Sequence, residues 1–369
     1  MVRKDAVKTT GGPNRPSRRD VLRAVAAGTL GALVAPHLAR AQAPRPASAP
    51  ASGPASAPAS APASAPASAP ASGPVKLKPV PPPWWLKTAA TRARVVDIRA
   101  REILTEEAGD TVTLEEILDQ GLLHLVSADD PEAAWRKVLG DAQRIVLKFN
   151  SVAADVLGTN EMMARALVSR LKAAGYRPER ITLVEAPEFL RQALGTATPI
   201  RAWGEAIPVG DGLQQLAQYL YDADAIINVP LLKTHQIAGM SCCMKNLSHA
   251  LLRHPARCHA NGCSPFVGQV VGAPPVSARV RLNIVNALRV VVDRGPDARP
   301  EDVADYGGLL LGFDPLAVDI VGRSILAMER RSRGLAPWFA VPYLDSAAAM
   351  RVGRWRPAEI ERLALEAAL

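Results

Sequence analysis

The 369-residue chain lacks several signatures that would have named a chemistry outright. No glycine-rich phosphate cradle of the form G-x-x-x-x-G-K-[ST] or G-x-G-x-x-G is present, so no nucleotide cofactor is indicated. G-x-S-x-G and H-E-x-x-H are both missing, which argues against an ordinary serine hydrolase or a zincin. No basic stripe interleaved with aromatic residues occurs, and nucleic-acid binding is excluded as a reading. Near the N-terminus the apolar stretch Ala24 to Ala35 is about a dozen residues, short of the roughly 20 that span a bilayer, so no permanent membrane anchor is expected. Cysteine is scarce too, with four residues in all.

What the N-terminus does contain is an export pattern. Arg3, Lys4, Lys8, Arg15, Arg18, Arg19 and Arg23 precede the apolar stretch, and Ala39-Arg40-Ala41 has the small-x-small form that signal peptidases cut. Ser17-Arg18-Arg19-Asp20-Val21-Leu22-Arg23 resembles the twin-arginine consensus, with Val21 in place of the commoner Phe and Arg23 in place of Lys. Residues 1–41, cut after Ala41, are therefore expected to be a signal read by the twin-arginine translocase. The resemblance implies a periplasmic or otherwise extracytoplasmic protein that folds before export, often with a cofactor inserted. Removing the signal leaves 36 basic and 33 acidic residues, a net charge of +3. The high isoelectric point thus belongs largely to the signal.

Residues 42–83 repeat Ala-Ser-Ala-Pro and carry almost no large apolar side chains, so burial cannot offset the entropy of ordering. Regular proline favours an extended, semi-rigid tether that could hold a domain clear of an envelope surface, or the repeat is a neutral expansion. Residues 84–140 are expected to be a helical extension. Thr113-Leu-Glu-Glu116 has capping-box form, and a second helix is expected from Asp130-Pro131 to Leu139.

From 141 to 330 strands and helices alternate. Strands are expected at 144–149, 181–186, 225–230, 289–292 and 308–312. Helices are expected at 160–174 (capped by Asn160, closed at Gly175), near 214–222 and at 315–329. A helical tail is expected at 331–369. The fold class is α/β: a mostly parallel sheet with helices on both faces plus the N-terminal helical extension. In such sheets ligands sit beyond the carboxyl ends of the strands. Those ends carry Lys148 and Asn150, Glu185, Pro230 with Lys233 and His235, Asp293, and Asp314.

Ile226-Ile-Asn-Val-Pro-Leu-Leu-Lys233-Thr234-His235, followed by Gly239 and Lys245-Asn246, resembles the central segment of domain-of-unknown-function family 362. Leu147-Lys148-Phe149-Asn150, Thr159-Asn160 and Gly312-Phe-Asp314-Pro-Leu-Ala-Val-Asp319 resemble its flanking segments, with Phe149 where proline is usual. The resemblance covers roughly 140–330 and implies a fold and a site rather than a reaction. Some members carry an appended ferredoxin-like segment, which this chain, without a repeated C-x2-C-x2-C run, does not have.

Lys233, His235 and Lys245, with Asn246, form the candidate catalytic group, and two ammonium groups with an imidazole suit a small carboxylate or phosphate. Lys148, Asn150, Asp293, Asp314 and Asp319 are the candidate ligand-binding residues. The aspartates with His235 also supply donors for a divalent metal, although Asp314 before a proline is equally a helix cap. All four cysteines and four of the six histidines fall within residues 235–263. Cys242, Cys243, His249, Cys258 and Cys263 are the candidate ligands of a metal or iron–sulfur centre. A Cys258–Cys263 disulfide and inert buried thiols are the competing readings. The overall expectation is an exported metal- or iron–sulfur-associated enzyme or redox protein acting on a small anion, or alternatively a non-catalytic ligand-binding or assembly protein.

The export reading is checked by fractionation: replacing Arg18 and Arg19 together by lysine should strand the precursor in the cytoplasm with its folded domain intact. Undiminished export of the double variant would assign the general secretion route instead.

Overall fold

Short aliphatic runs whose alternate residues enter two different cores make the frame of the molecule. Val146, Ile226 and Leu310 pack into one hydrophobic core, while their neighbours Ile145, Leu147, Ala225, Ile227, Leu309 and Leu311 pack into the other. Side chains of period two on one backbone can do this only in a sheet covered on both faces. The computed structural model describes residues 82–87, 91–104, 111–337 and 339–367; the signal, and all but the last two residues of the spacer, lie outside these.

Eleven strands are present among the described residues: β1 Ala93–Arg99, β2 Ile145–Lys148, β3 Ile181–Val184, β4 Trp203–Val209, β5 Gly212–Ala217, β6 Ala225–Asn228, β7 Leu231–His235, β8 Gly239–Ser241, β9 Val280–Val291, β10 Val303–Gly312 and β11 Ile360–Glu366. Nine of them form one sheet with the main order β11-β1-β10-β9-β6-β2-β3, and β7 lies alongside β9 with β8 outside it. The pairings β11–β1, β9–β6, β6–β2, β2–β3 and β7–β9 are parallel; β1–β10, β10–β9 and β7–β8 are antiparallel. The sheet is therefore mixed and mostly parallel. β4 and β5 pair separately.

Helices α1 Thr111–Val126, α2 Pro131–Leu139 and α3 Asn160–Ala173 cover one face through Leu114, Ile117, Leu118, Trp135, Leu167 and Leu171. After the one-turn helix α4 Cys243–Asn246, α5 Pro315–Ser332 and α6 Pro342–Ala349 cover the other through Val318, Ile325, Tyr343 and Leu344. Two starts are built from proline and a capping acid: Asp130 accepts from Ala133 N, and Asp314 from Leu316 N and Ala317 N. Among the described residues no helix is long and apolar enough to cross a membrane.

Several elements differ from expectation. β1 lies in the stretch 84–140 and β11 in the stretch 331–369, both expected to be helical. Ile-Glu-Arg-Leu-Ala-Leu-Glu of β11 is made of good helix formers, but a row of open hydrogen-bonding groups on β1 outweighs that weak local preference. Of the helix expected near 214–222, residues 214–217 belong to β5 instead, and only Gln218–Asp222 is a helix. α1 begins at Thr111, so Thr113 lies inside the helix rather than capping it. Asn160 does not cap α3; its carboxamide donates to the Asn150 carbonyl instead (2.8 Å).

A buried acid joins the two ends of the described chain. Asp97 of β1 accepts from the Tyr306 hydroxyl of β10 at 2.7 Å and from Arg362 Nε of β11 at 3.1 Å. Removing that carboxylate in Asp97→Ala should cost about 1.5–3 kcal/mol, the value of hydrogen bonds to a charged group, because Arg362 keeps partial access to water. Denaturant unfolding monitored by circular dichroism measures it; a change within about 0.5 kcal/mol, as for an ordinary surface substitution, would show that the contact does not tie the edge strand in.

Candidate functional site

Three lysines are brought into one region at the carboxyl end of β2: Lys148 closes that strand, Lys233 comes from β7 and Lys245 from α4. Lys148 is the last residue of β2, and its Nζ donates to the Phe149 carbonyl, to Asn246 Oδ1 (3.1 Å) and, in an ion pair, to Glu185 (3.2 Å). All three ammonium protons are used, and burial pushes this lysine's pKa down, opposed by Glu185. Glu185, just past β3, holds a left-handed backbone (φ 57°), a conformation unusual for glutamate. That kink accompanies its carboxylate's contacts with Lys148 and with the backbone N–H of Ser151.

β7 carries Lys233 and His235 two residues apart, hence on one side of the strand, where both line a cleft of about 330 Å³. The β7–β8 hairpin depends on Gly239, whose φ is +80° and where a Cβ would stand 1.9 Å from the Ala340 carbonyl oxygen. Lys233 Nζ donates to Asn150 Oδ1 at 3.0 Å and to the Val152 carbonyl. Burial and the nearby Lys245 ammonium pull its pKa down to about 7, with Glu185 opposing and Lys148 adding to the shift. His235 Nδ1 accepts from the backbone N–H groups of Ile237 and Ala238 (3.2 and 3.3 Å), which leaves its proton on Nε2. Burial and then Lys245 hold it neutral, with a pKa of about 3.

The helix α4 contributes Lys245 and Asn246 from the opposite wall. Asn246 uses its whole carboxamide: Oδ1 accepts from Lys148 and Asn150, and Nδ2 donates to the Lys148 carbonyl and to Asn228 Oδ1. Lys245 Nζ makes no hydrogen bond among the described residues, and burial lowers its pKa while Cys263 opposes. His249 and His259 complete the wall, their ring centroids 4.4 Å apart, and His259 lies 6.0 Å from His235.

The sequence-predicted residues thus divide. Lys148, Asn150, Lys233, His235, Lys245 and Asn246 come together. Asp293 does not line the cleft and pairs with Arg330 (3.1 Å). Asp314 lies at the far end of the sheet, since β10 runs antiparallel to β9; it accepts from Leu316, Ala317 and Arg354 backbone N–H groups, and burial raises its pKa to about 6. Asp319 accepts from the Cys243 and Met244 N–H groups, with burial raising its pKa to about 7.

The four cysteines also separate. Cys242 precedes the helical turn with an extended backbone, so its sulfur and that of Cys243 lie 4.0 Å apart beside Asp319. Cys263 stands instead with His249 and His259. Cys258 joins neither group and no disulfide is formed. Among the described residues no group holds the four thiolates of an ordinary iron–sulfur cluster. Sequence reasoning left out His259 and the asparagines Asn228 and Asn283, which hydrogen-bond each other at 2.8 Å behind the lysines. The signal for the latter was present: a carboxamide inside an otherwise aliphatic strand.

Residues 199–324 match a family model described as a domain of unknown function, DUF362. The Lys-Thr-His and Lys-Asn segments fall inside the matched residues, and the Lys148 and Thr159 segments fall outside. Among curated proteins, none matches the sequence. Of solved structures, the lactate racemase apoprotein from Thermoanaerobacterium thermosaccharolyticum is similar at 10% identity, with a TM-score of 0.35 over 63% of this chain. The chain spans 57% of that protein's length.

Burying Lys233 has a cost that pH reveals. Below about pH 7 the amine is protonated in folded and unfolded chains alike and the full penalty is present. Between about 7 and its ordinary value of 10.5 only the unfolded chain keeps the proton, so this lysine makes stability rise with pH. Lys233→Met should raise the unfolding midpoint at pH 7 by roughly 2 °C or more, and should gain less than the wild type between pH 6 and 9. Equal gains by differential scanning calorimetry would place the shift elsewhere.

Proposed function

We propose that this is an exported, metal-associated enzyme that binds a small carboxylate or phosphate in the lysine cleft and moves a proton through Lys233. One observation carries the reading. Lys233 donates two hydrogen bonds, to Asn150 and the Val152 carbonyl, so as a neutral amine it keeps its lone pair for the cleft. A base with a pKa near the working pH is the efficient one. Lys245 supplies the free ammonium, His235 Nε2–H a neutral donor, and Asn150 and Asn246 hold the amines in place. Three lysines stand against the single carboxylate of Glu185, and an anion supplies the missing negative charge. Export by the twin-arginine route, suggested by Arg18 and Arg19, would deliver the protein folded.

Titration calorimetry with inorganic phosphate and with acetate tests this. Lys245→Met or His235→Gln should weaken binding about 10–150-fold, equivalent to about 1.5–3 kcal/mol for a charge-assisted bond. The bound anion raises the Lys233 pKa, so affinity should be flat below about pH 7 and fall up to tenfold per pH unit above it, and Lys233→Met should abolish that slope. Affinity independent of pH and of these substitutions would remove the reading.

A further inference from the structure

We propose that His249, His259 and Cys263 bind one divalent transition-metal ion of the zinc class, with a fourth position open to the lysine cleft. One ligand atom from each lies within 4.8 Å of the others. Around a tetrahedral zinc such atoms stand about 3.3–3.8 Å apart, from bond lengths of roughly 2.0–2.3 Å. Rotation of the half-buried His259 ring spans the difference.

The decisive feature is His249. The Ser248 hydroxyl lies 3.0 Å from the Lys245 carbonyl and 3.0 Å from His249 Nδ1, and when it gives its one proton to the carbonyl it accepts from Nδ1. In that tautomer the imidazole proton is on Nδ1, and Nε2 is a bare lone pair. That Nε2 is buried and has no hydrogen-bond partner. A desolvated acceptor left empty is costly, and a metal ion fills it. Fixing one ring nitrogen through a neighbouring oxygen while the other faces the metal is how ligating histidines are usually held.

The loop that returns Cys263 to the histidines is shaped for the purpose. Asn261, Gly262 and Cys263 are all left-handed, with φ of 52°, 64° and 65°, and a Cβ on Gly262 would meet Pro342 at 2.7 Å. His235 is no ligand here, because its Nδ1 lone pair is taken by backbone N–H groups. Two imidazoles, one thiolate and an open position match a catalytic rather than a structural zinc site.

The second His/Cys/Asp/Glu group, Cys242, Cys243 and Asp319, offers no comparable vacancy for a lone pair. All three are fully buried, and Asp319 already accepts from two backbone N–H groups and the Tyr343 hydroxyl. Lys245 opposes a bare cation at the first group, and an anion lying between them relieves that repulsion. In this last respect only, the inference rests on the anion reading above. Metal and phosphate should then each tighten the other's binding by the same factor.

The test is titration of the full chain, reduced with a non-chelating phosphine, with Co2+ alone and then with phosphate present. We expect one Co2+ per chain with a sulfur-to-cobalt charge-transfer band, displaced by Zn2+. Cys263→Ser should remove that band. His259→Gln, at a half-buried position and so better tolerated if Cys263→Ser misfolds, should weaken affinity more than the roughly 10–100-fold expected of an outer partner such as Ser248→Ala. Cys242→Ser should change neither. Absence of Co2+ binding, survival of the band in Cys263→Ser, or its loss in Cys242→Ser overturns the assignment. Phosphate binding to metal-free protein is scored separately: if it persists while Co2+ fails to bind, only the metal site falls, and if Co2+ binds but phosphate does not, only the anion reading falls.

Discussion

Two lysines at the sheet's carboxyl edge are almost wholly removed from water, and the structure depends on how that is tolerated. Their acceptors converge on the carboxamide of Asn246, whose two lone pairs and two protons are all engaged. From Asn246 the network runs through Asn228 to Asn283, and from Asn283 to the carbonyls of Gly312 and Phe313. One chain of amides thereby joins the last residues of β2 and β6, the first third of β9 and the end of β10. A buried polar network that is fully satisfied is rigid and specific. The same groups that make the sheet register unique also aim the amines.

This arrangement gives the cleft two dissimilar kinds of polar group. Behind the cleft Lys148 is saturated and paired with Glu185, so it holds Asn246. Lys233 is incompletely bonded and pulled toward neutrality, and Lys245 is unbonded among the described residues. Beside each of these two amines stands a neutral imidazole, held so by burial, His235 on β7 and His249 after α4. The cleft thus sets ammonium charge and directed imidazole groups within the same small volume.

Topology decides which polar residues are excluded. β10 runs against β9, so the helix cap Asp314 belongs to the far edge of the sheet, where its hydrogen bonds serve α5 and the Arg354 turn. β9 is twelve residues long and continues past the β6 carboxyl end to pair with β7, Lys233 against Val291, and Asp293 just beyond that pair is engaged by Arg330 of α5 rather than by the cleft. Asp319 points at the N–H groups of Cys243 and Met244 and positions α4 from behind.

Local chemistry was enough to read the aliphatic strands at 145–148, 181–184 and 225–228, the proline-led helices after Asp130 and Asp314, and the convergence of Lys148, Asn150, Lys233, His235, Lys245 and Asn246 on one sheet edge. Each of these follows from short-range rules: burial period, capping, and the alignment of parallel strand ends. What the tertiary structure alone decided was whatever depends on a distant partner. The helix-forming residues of β11 became a strand because β1 offered an unpaired edge 260-odd residues away. The clustered cysteines parted, Cys242 and Cys243 toward Asp319 and Cys263 toward two histidines, because a backbone turn sets where a thiol points and spacing along the chain does not. His259 joined the site for the same reason: the short turn Pro255–Cys258 before it sets its ring against His249.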